Sequence, residues 1–193
     1  MSSLVEQRES HYVEFLGEMK NQVWHSTDVK TVHVDVYDFL PTEDRKHHVL
    51  ITGGMSDLRQ NIPSRYEGLS PRAEILAYTH EPQNWMISVL KGLAEMPSND
   101  DTFLHWGHTV PNGKPMTAIP SLLTSYFFVP PFLEAEGFGS MFVEEDAVDF
   151  LVMVPITEAE RAFIKEKGSE AFLDILDAHN FDYIINEKRA SFV

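Results

Sequence analysis

Ser56, Asp57, Arg72, Glu74, His105 and His108 are the side chains best able to do chemistry, and all lie between Thr52 and Thr109. Ser56, His108 and either Asp57 or Glu74 supply the residue types of a nucleophilic triad. Asp57 and Glu74 could also work as an acid–base pair. A hydrolase-like enzyme built on this Ser/His/acidic cluster is therefore one reading. Against it, Gly53-Gly54-Met55-Ser56-Asp57 is not the Gly-x-Ser-x-Gly elbow that presents a reactive serine. The glycine pair also lacks the lysine of a phosphate loop and the spacing of a dinucleotide fingerprint. Its expected role is a tight turn at Gly54, closed onto the backbone by the side chain of Ser56 or Asp57.

Nine histidines raise the question of a metal. On an extended strand, residues three apart face opposite ways, so His105 and His108 cannot readily share an ion. His47-His48 fails for the same reason. His33, His48 and His108 on neighbouring strands, with Asp35 or Asp57, form the remaining candidate set. Buried polar groups usually satisfy one another, so neither a metal nor a cofactor is assigned.

Arg72 and Glu74 share one face of a strand, with Ala73 and Ile75 on the other. If Ala73 and Ile75 face the core, the charged pair faces a groove or solvent. Arg72 then holds a carboxylate, and an internal pair with Asp57 that anchors the turn is expected over a ligand's carboxylate. Trp106 is read as a core aromatic, with an exposed binding anchor as the alternative.

These residues need a scaffold. Leu4, Tyr12, Phe15, Leu16 and Met19 recur at helical spacing and predict a helix over about residues 4–20. Val32, Val34, Val36 and Phe39 predict a half-buried strand, with His33, Asp35 and Tyr37 on its other face. His47–Thr52 and Arg72–Tyr78 read as strands, separated by a polar loop from Asn61 to Pro71. Pro82 opens a helix whose apolar stripe, from Trp85 through Ala94, ends before Pro97. Phe103–Thr109 reads as a short strand before a hairpin-like turn at Pro111-Asn112-Gly113. Ser121–Val129 is β-prone and stopped by Pro130-Pro131, and Val148–Val154 reads as a buried central strand. Thr157 with Glu160 is a capping box for a helix ended by Gly168, and a last helix covers about residues 169–178. Strands and helices mix without a βαβ rhythm, which predicts an α+β domain over a doubly wound parallel sheet. No linker or repeat divides residues 1–193, so one domain is expected, with residues 1–30 as an N-terminal helix and lead-in.

Lys plus Arg number 15 against 30 Asp plus Glu, a formal charge of −15 with neutral histidines. That argues against nucleic acid and anionic membrane as partners, since both reward a basic surface. A hydrophobic content of 43% is ample for a core, and no apolar run reaches the roughly 20 residues of a membrane span. There is no cysteine, hence no disulfide framework. The polar, acidic N-terminus is no secretory signal, so a cytoplasmic location is expected. The acidic runs Glu134–Glu136 and Glu144–Asp146 read as solvated loops or contact sites.

Taken in order, the blocks Thr52-Gly53-Gly54-Met55-Ser56-Asp57, Arg72-Ala73-Glu74-Ile75, Trp85 with Leu90-Lys91-Gly92-Leu93-Ala94, and Asp101-Thr102-Phe103-Leu104-His105-Trp106-Gly107-His108-Thr109 resemble the Suppressor of fused family. Val154-Pro155-Ile156-Thr157 with Glu160, Lys167-Gly168 and Arg189-Ala190-Ser191 extend the likeness from about Val34 to Arg189. The resemblance implies an α+β domain with a central mixed, largely antiparallel sheet flanked by helices, and no established enzymatic activity. Two-domain animal members clamp an extended transcription-factor peptide between their halves, and this chain is similar to the N-terminal half only. Free-standing bacterial members are proposed to be immunity proteins that neutralise partner toxins.

The resulting expectation is a cytosolic protein-binding domain, of an immunity type that binds and neutralises a basic toxin. Peptide binding by strand addition at an exposed sheet edge is a rival binding mode. Met55, Ser56, Asp57, Arg72, Glu74, Trp106 and His108 are expected to form one polar corner, either binding or structural.

Overall fold

The computed structural model describes residues 3–20, 22–26, 31–116 and 120–193. Helix α1 (Leu4–Leu16) precedes strands β1 (Asp35–Phe39), β2 (His48–Gly53) and β3 (Arg72–Thr79). Helix α2 (Asn84–Asn99), strands β4 (Thr109–Pro111), β5 (Leu123–Val129), β6 (Ser140–Val143) and β7 (Asp146–Thr157), and helices α3 (Glu158–Lys167) and α4 (Ser169–Ala178) follow. Parts of the N-terminal lead-in, residues 1–2, 21 and 27–30, lie outside the described residues.

β7 organises the sheet. Its apolar run is buried on both faces, as a central strand requires. The strand order is β1-β2-β3-β7-β5-β4, with β6 also on β7. β3 and β7 run parallel and the remaining described pairs are antiparallel. This is the mixed, largely antiparallel α+β sheet expected.

Side-chain alternation divides the core between the two faces. Phe150, Val152, Val154 and Ile156 of β7 join Tyr12 and Leu16 of α1, Ile164 of α3, and Phe172 and Leu176 of α4. Leu151 and Met153 point the other way, against Met86, Leu90, Leu93 and Ala94 of α2. The sheet therefore lies between α2 on one side and α1, α3 and α4 on the other.

Several expectations need correction. β1 is buried on both faces, because Tyr37 and Phe39 pack on the α1 side while Val34 and Val36 pack on the α2 side. Helix α1 stops at Leu16, where Gly17 at φ +84° turns the chain, and Met19 bridges Phe39 in an extended segment. Helix α2 continues through Pro97, which is buried within the last turn. Packing there outweighs one lost backbone bond close to the helix end. Pro82 precedes the N-cap Gln83, outside the helix.

Phe103–His108 is not a strand. His108 N donates to His105 O in a turn, and Gly107 adopts φ +83°. The turn after Pro111 is no tight hairpin either, since β4 and β5 are separated by residues 112–122. The capping box is present as read: Thr157 Oγ1 accepts from Glu160 N at 3.1 Å, and Glu160 Oε2 accepts from Thr157 N at 2.7 Å.

Candidate functional site

Glu74 is the centre of the polar cluster. β3 directs it to the α1 side of the sheet, alongside Leu76 and Tyr78, and it is 0% exposed. This corrects the expectation of a groove or solvent face, which followed from giving the sheet only one buried side. A buried carboxylate needs donors. Oε2 accepts Thr52 Oγ1 at 2.6 Å, and Oε1 accepts Gly54 N at 2.9 Å, Ser56 N at 3.0 Å and Ser56 Oγ at 2.6 Å. The turn at Gly53-Gly54 is thus closed by Glu74 and not by Ser56 or Asp57 onto their own backbone. Gly54 sits at φ +123°, and a Cβ there would fall 1.9 Å from His33 O, so the turn requires glycine for both conformation and space.

Arg8 supplies the countercharge from α1. Its Nη1 donates to Asp57 Oδ1 at 2.7 Å and Ser56 Oγ at 3.0 Å, and lies 3.4 Å from Glu74 Oε1. Burial opposes the charge on Arg8, but Glu74 and the other neighbours outweigh it and hold the guanidinium more firmly protonated than usual. Tyr12, one turn along, donates to Thr52 O at 2.8 Å. Sequence reasoning missed Arg8. The signal was available, because Arg8, Tyr12 and Leu16 recur every four residues on the buried stripe of α1, where a cation must have a buried partner.

Arg72 does not pair with the Asp57 carboxylate. Its Nη1 donates to the carbonyls of Ser56 and Asp57 at 2.7 and 3.0 Å, while Nε donates to Asp146 Oδ2 at 2.8 Å. Arg59 grips both oxygens of Asp146, its Nε sharing Oδ2 with Arg72 and its Nη2 donating to Oδ1, each at 2.6 Å. The bonds from Arg59 and Arg72 hold the Asp146 carboxyl below the usual carboxylate range. Asp146, read as part of a solvated acidic run, is instead the clasp between β3 and the loop after the Gly53-Gly54 turn.

The remaining expected members lie apart from Glu74. Met55 is buried in the α2-side core. Trp106 packs against that core and donates Nε1 to Phe150 O at 3.1 Å. His108 meets Phe103 edge-on at 4.8 Å and lies 6.4 Å from His105, ring to ring, with its pKa lowered by burial and by His105. The Ser56 hydroxyl, 1% exposed as a residue, lies between Arg8 and Glu74, with no imidazole among its described partners. The triad is not assembled. Ser56, Asp57, Arg72 and Glu74 come together, and Met55, Trp106 and His108 do not join them.

The candidate metal set also separates. His48 Nδ1 meets Asp38 Oδ1 at 2.7 Å, His108 stays with Phe103, and His33 and Asp35 are joined by His25.

Among the described residues, no helix is long and apolar enough to cross a membrane. The family model described as Suppressor of fused protein matches residues 30–190. A search of curated proteins found no match. Solved structures share the fold. A Suppressor of fused homologue from Neisseria gonorrhoeae FA 1090 superposes with a TM-score of 0.76 at 20% identity, covering 98% of this chain and 96% of that one. A chain of the Sufu-Fu complex crystal structure gives 0.70 at 16% identity, covering 97% and 91%. Drosophila Suppressor of Fused gives 0.61 at 17% identity, covering 83% of this chain and 42% of that protein.

Proposed function

The chain belongs to the Suppressor of fused family, and from that membership we propose that it is a protein-binding domain. One observation carries this reading: the residues best equipped for chemistry, Ser56 and Glu74, spend their polar atoms on each other, on Arg8 and on the turn backbone, out of reach of a substrate. A similarly folded chain in a Sufu-Fu protein complex supports the same direction. The net charge of −15 suits a basic protein partner, whose approach it steers and whose affinity it makes salt-dependent. We read the partner as a basic toxin that the domain neutralises, acting as one unit across residues 1–193 in the cytoplasm.

Strand addition is the second reading, favoured by β6. This strand pairs with β7 alone among the described strands, and its Phe142 is 70% exposed. An extended peptide could add there with an apolar side chain against Phe142.

The test is retention of partners on the immobilised protein at low and moderate salt, identified by mass spectrometry. A basic toxin domain retained at low salt and released at moderate salt supports the first reading. A partner whose retention ignores salt but is lost in Phe142→Glu supports strand addition. No saturable partner under either condition removes both.

A further inference from the structure

The segment leading into β1 gathers two histidines around one carboxylate. Trp24 and Val36 exchange backbone hydrogen bonds at 3.0 and 3.1 Å, and Ser26 N donates to Val34 O at 3.1 Å. That antiparallel register sets His25 directly opposite Asp35, on the face away from buried Val34 and Val36. His33, two residues before Asp35, shares this face by strand alternation. His25 Nδ1 and His33 Nε2 each lie 2.8 Å from Asp35 Oδ1, and the three ligand atoms fall within 4.8 Å of one another. The two histidine side chains are 64% and 47% exposed, so a hydrated ion reaches them without any opening of the fold.

We propose that His25, His33 and Asp35 form a surface site for a divalent transition-metal ion of the Zn2+ class. Two neutral imidazoles and a carboxylate are a donor set these ions accept. Donors bound at roughly 2.0–2.1 Å around a tetrahedral ion stand about 3.3 Å apart. Each nitrogen therefore moves about half an ångström from Asp35, and the two nitrogens, which lie within 4.8 Å of one another, adjust to the same spacing by rotation of the exposed rings. Binding exchanges the His25–Asp35 hydrogen bond and the close His33–Asp35 contact for metal bonds and leaves the fourth position to water. Lys91 is the opposing charge, with Nζ on His25 O at 2.7 Å and within electrostatic reach of Asp35. Glu95, beside Lys91 and at 3.4 Å from Ser26 Oγ, offsets it. The ion would tie residues 22–26 to β1, closing the outer edge of the sheet.

Calorimetric titration of the tag-free protein with ZnCl2 at pH 7.5 tests this. The expected result is one ion per chain, binding about a hundredfold weaker in His25→Ala and in Asp35→Asn and unchanged in His80→Ala, an exposed histidine elsewhere. Co2+ should give the absorption of a low-coordinate site in the native chain and lose it in the same two variants. All three site residues can be changed without touching the core, and circular dichroism checks that each variant is folded. The proposal is overturned by the absence of a one-to-one site, or by undiminished binding in a His25→Ala, His33→Ala double variant.

Discussion

Ser56 gives both its amide and its hydroxyl to a single oxygen of Glu74, at 3.0 and 2.6 Å. A serine and a glutamate that read as catalytic types are thus the two halves of a turn lock, with Arg8 completing its charge balance. Thr52 extends the lock into the sheet, because its hydroxyl donates to Glu74 and accepts Ile75 N at 2.8 Å.

A glutamine can keep its oxygen on the Gly54 and Ser56 donors and turn its NH2 to the Thr52 hydroxyl, but Glu74→Gln removes the negative charge that faces buried Arg8. The expected loss is about 3–5 kcal/mol for Glu74→Gln and for Glu74→Ala alike. Urea unfolding of both variants checks this. A Gln variant close to native stability would show that the negative charge is dispensable.

Asp57 is half exposed and shares Arg8 with Glu74, so Asp57→Ala should cost only about 1 kcal/mol. Its melting temperature should fall measurably yet stay well above that of Glu74→Gln. An unchanged melting temperature rejects its anchoring role.

Gly54→Ala meets both a positive φ and the His33 carbonyl, and should cost on the order of 3 kcal/mol or more. Gly113→Ala, also at positive φ but with no atom within 4 Å of the added Cβ, should cost about 1 kcal/mol. Denaturant midpoints of the pair separate steric contact from backbone conformation, and equal losses would refute the close approach.

His11 lies against the paired rings of Phe138 and Phe150, at 5.5 and 5.1 Å, and burial lowers its pKa despite the 3.0 Å bond from Nε2 to Phe138 O. The folded state therefore takes up this proton at lower pH than the unfolded chain. Its contribution is fully present above about pH 6.5, the unfolded value, and is lost as pH falls below it toward the folded pKa. Native protein should lose more stability than His11→Gln between pH 7.5 and 5.5. Parallel urea midpoints in the two proteins would exclude this linkage. His47 and His108, also lowered by burial, leave a residual slope in the variant.

Elements whose cause is local were legible in the chain. The capping box at Thr157 and Glu160, the stop at Gly168 and the apolar run of β7 each depend on neighbours a few residues away. Elements decided by tertiary contact were not. Pro97 stays helical because its ring is buried, and Phe103–His108 curls because Gly107 takes a positive φ while pairing with Phe128. The burial of Glu74 is not legible either, because a strand's alternation identifies its two faces but not whether a second layer covers each one.

The sequence by itself determined the family and the α+β class, since ordered blocks and strand periodicity are properties of the chain alone. Only the tertiary structure decided that Arg8 comes from helix α1 to meet Glu74, that Asp146 and not Asp57 takes the Arg72 side-chain bond, and that His25 completes the set with His33 and Asp35. Those partners are distant along the chain or set by strand register, and a carboxylate's choice among cations depends on which elements pack against it.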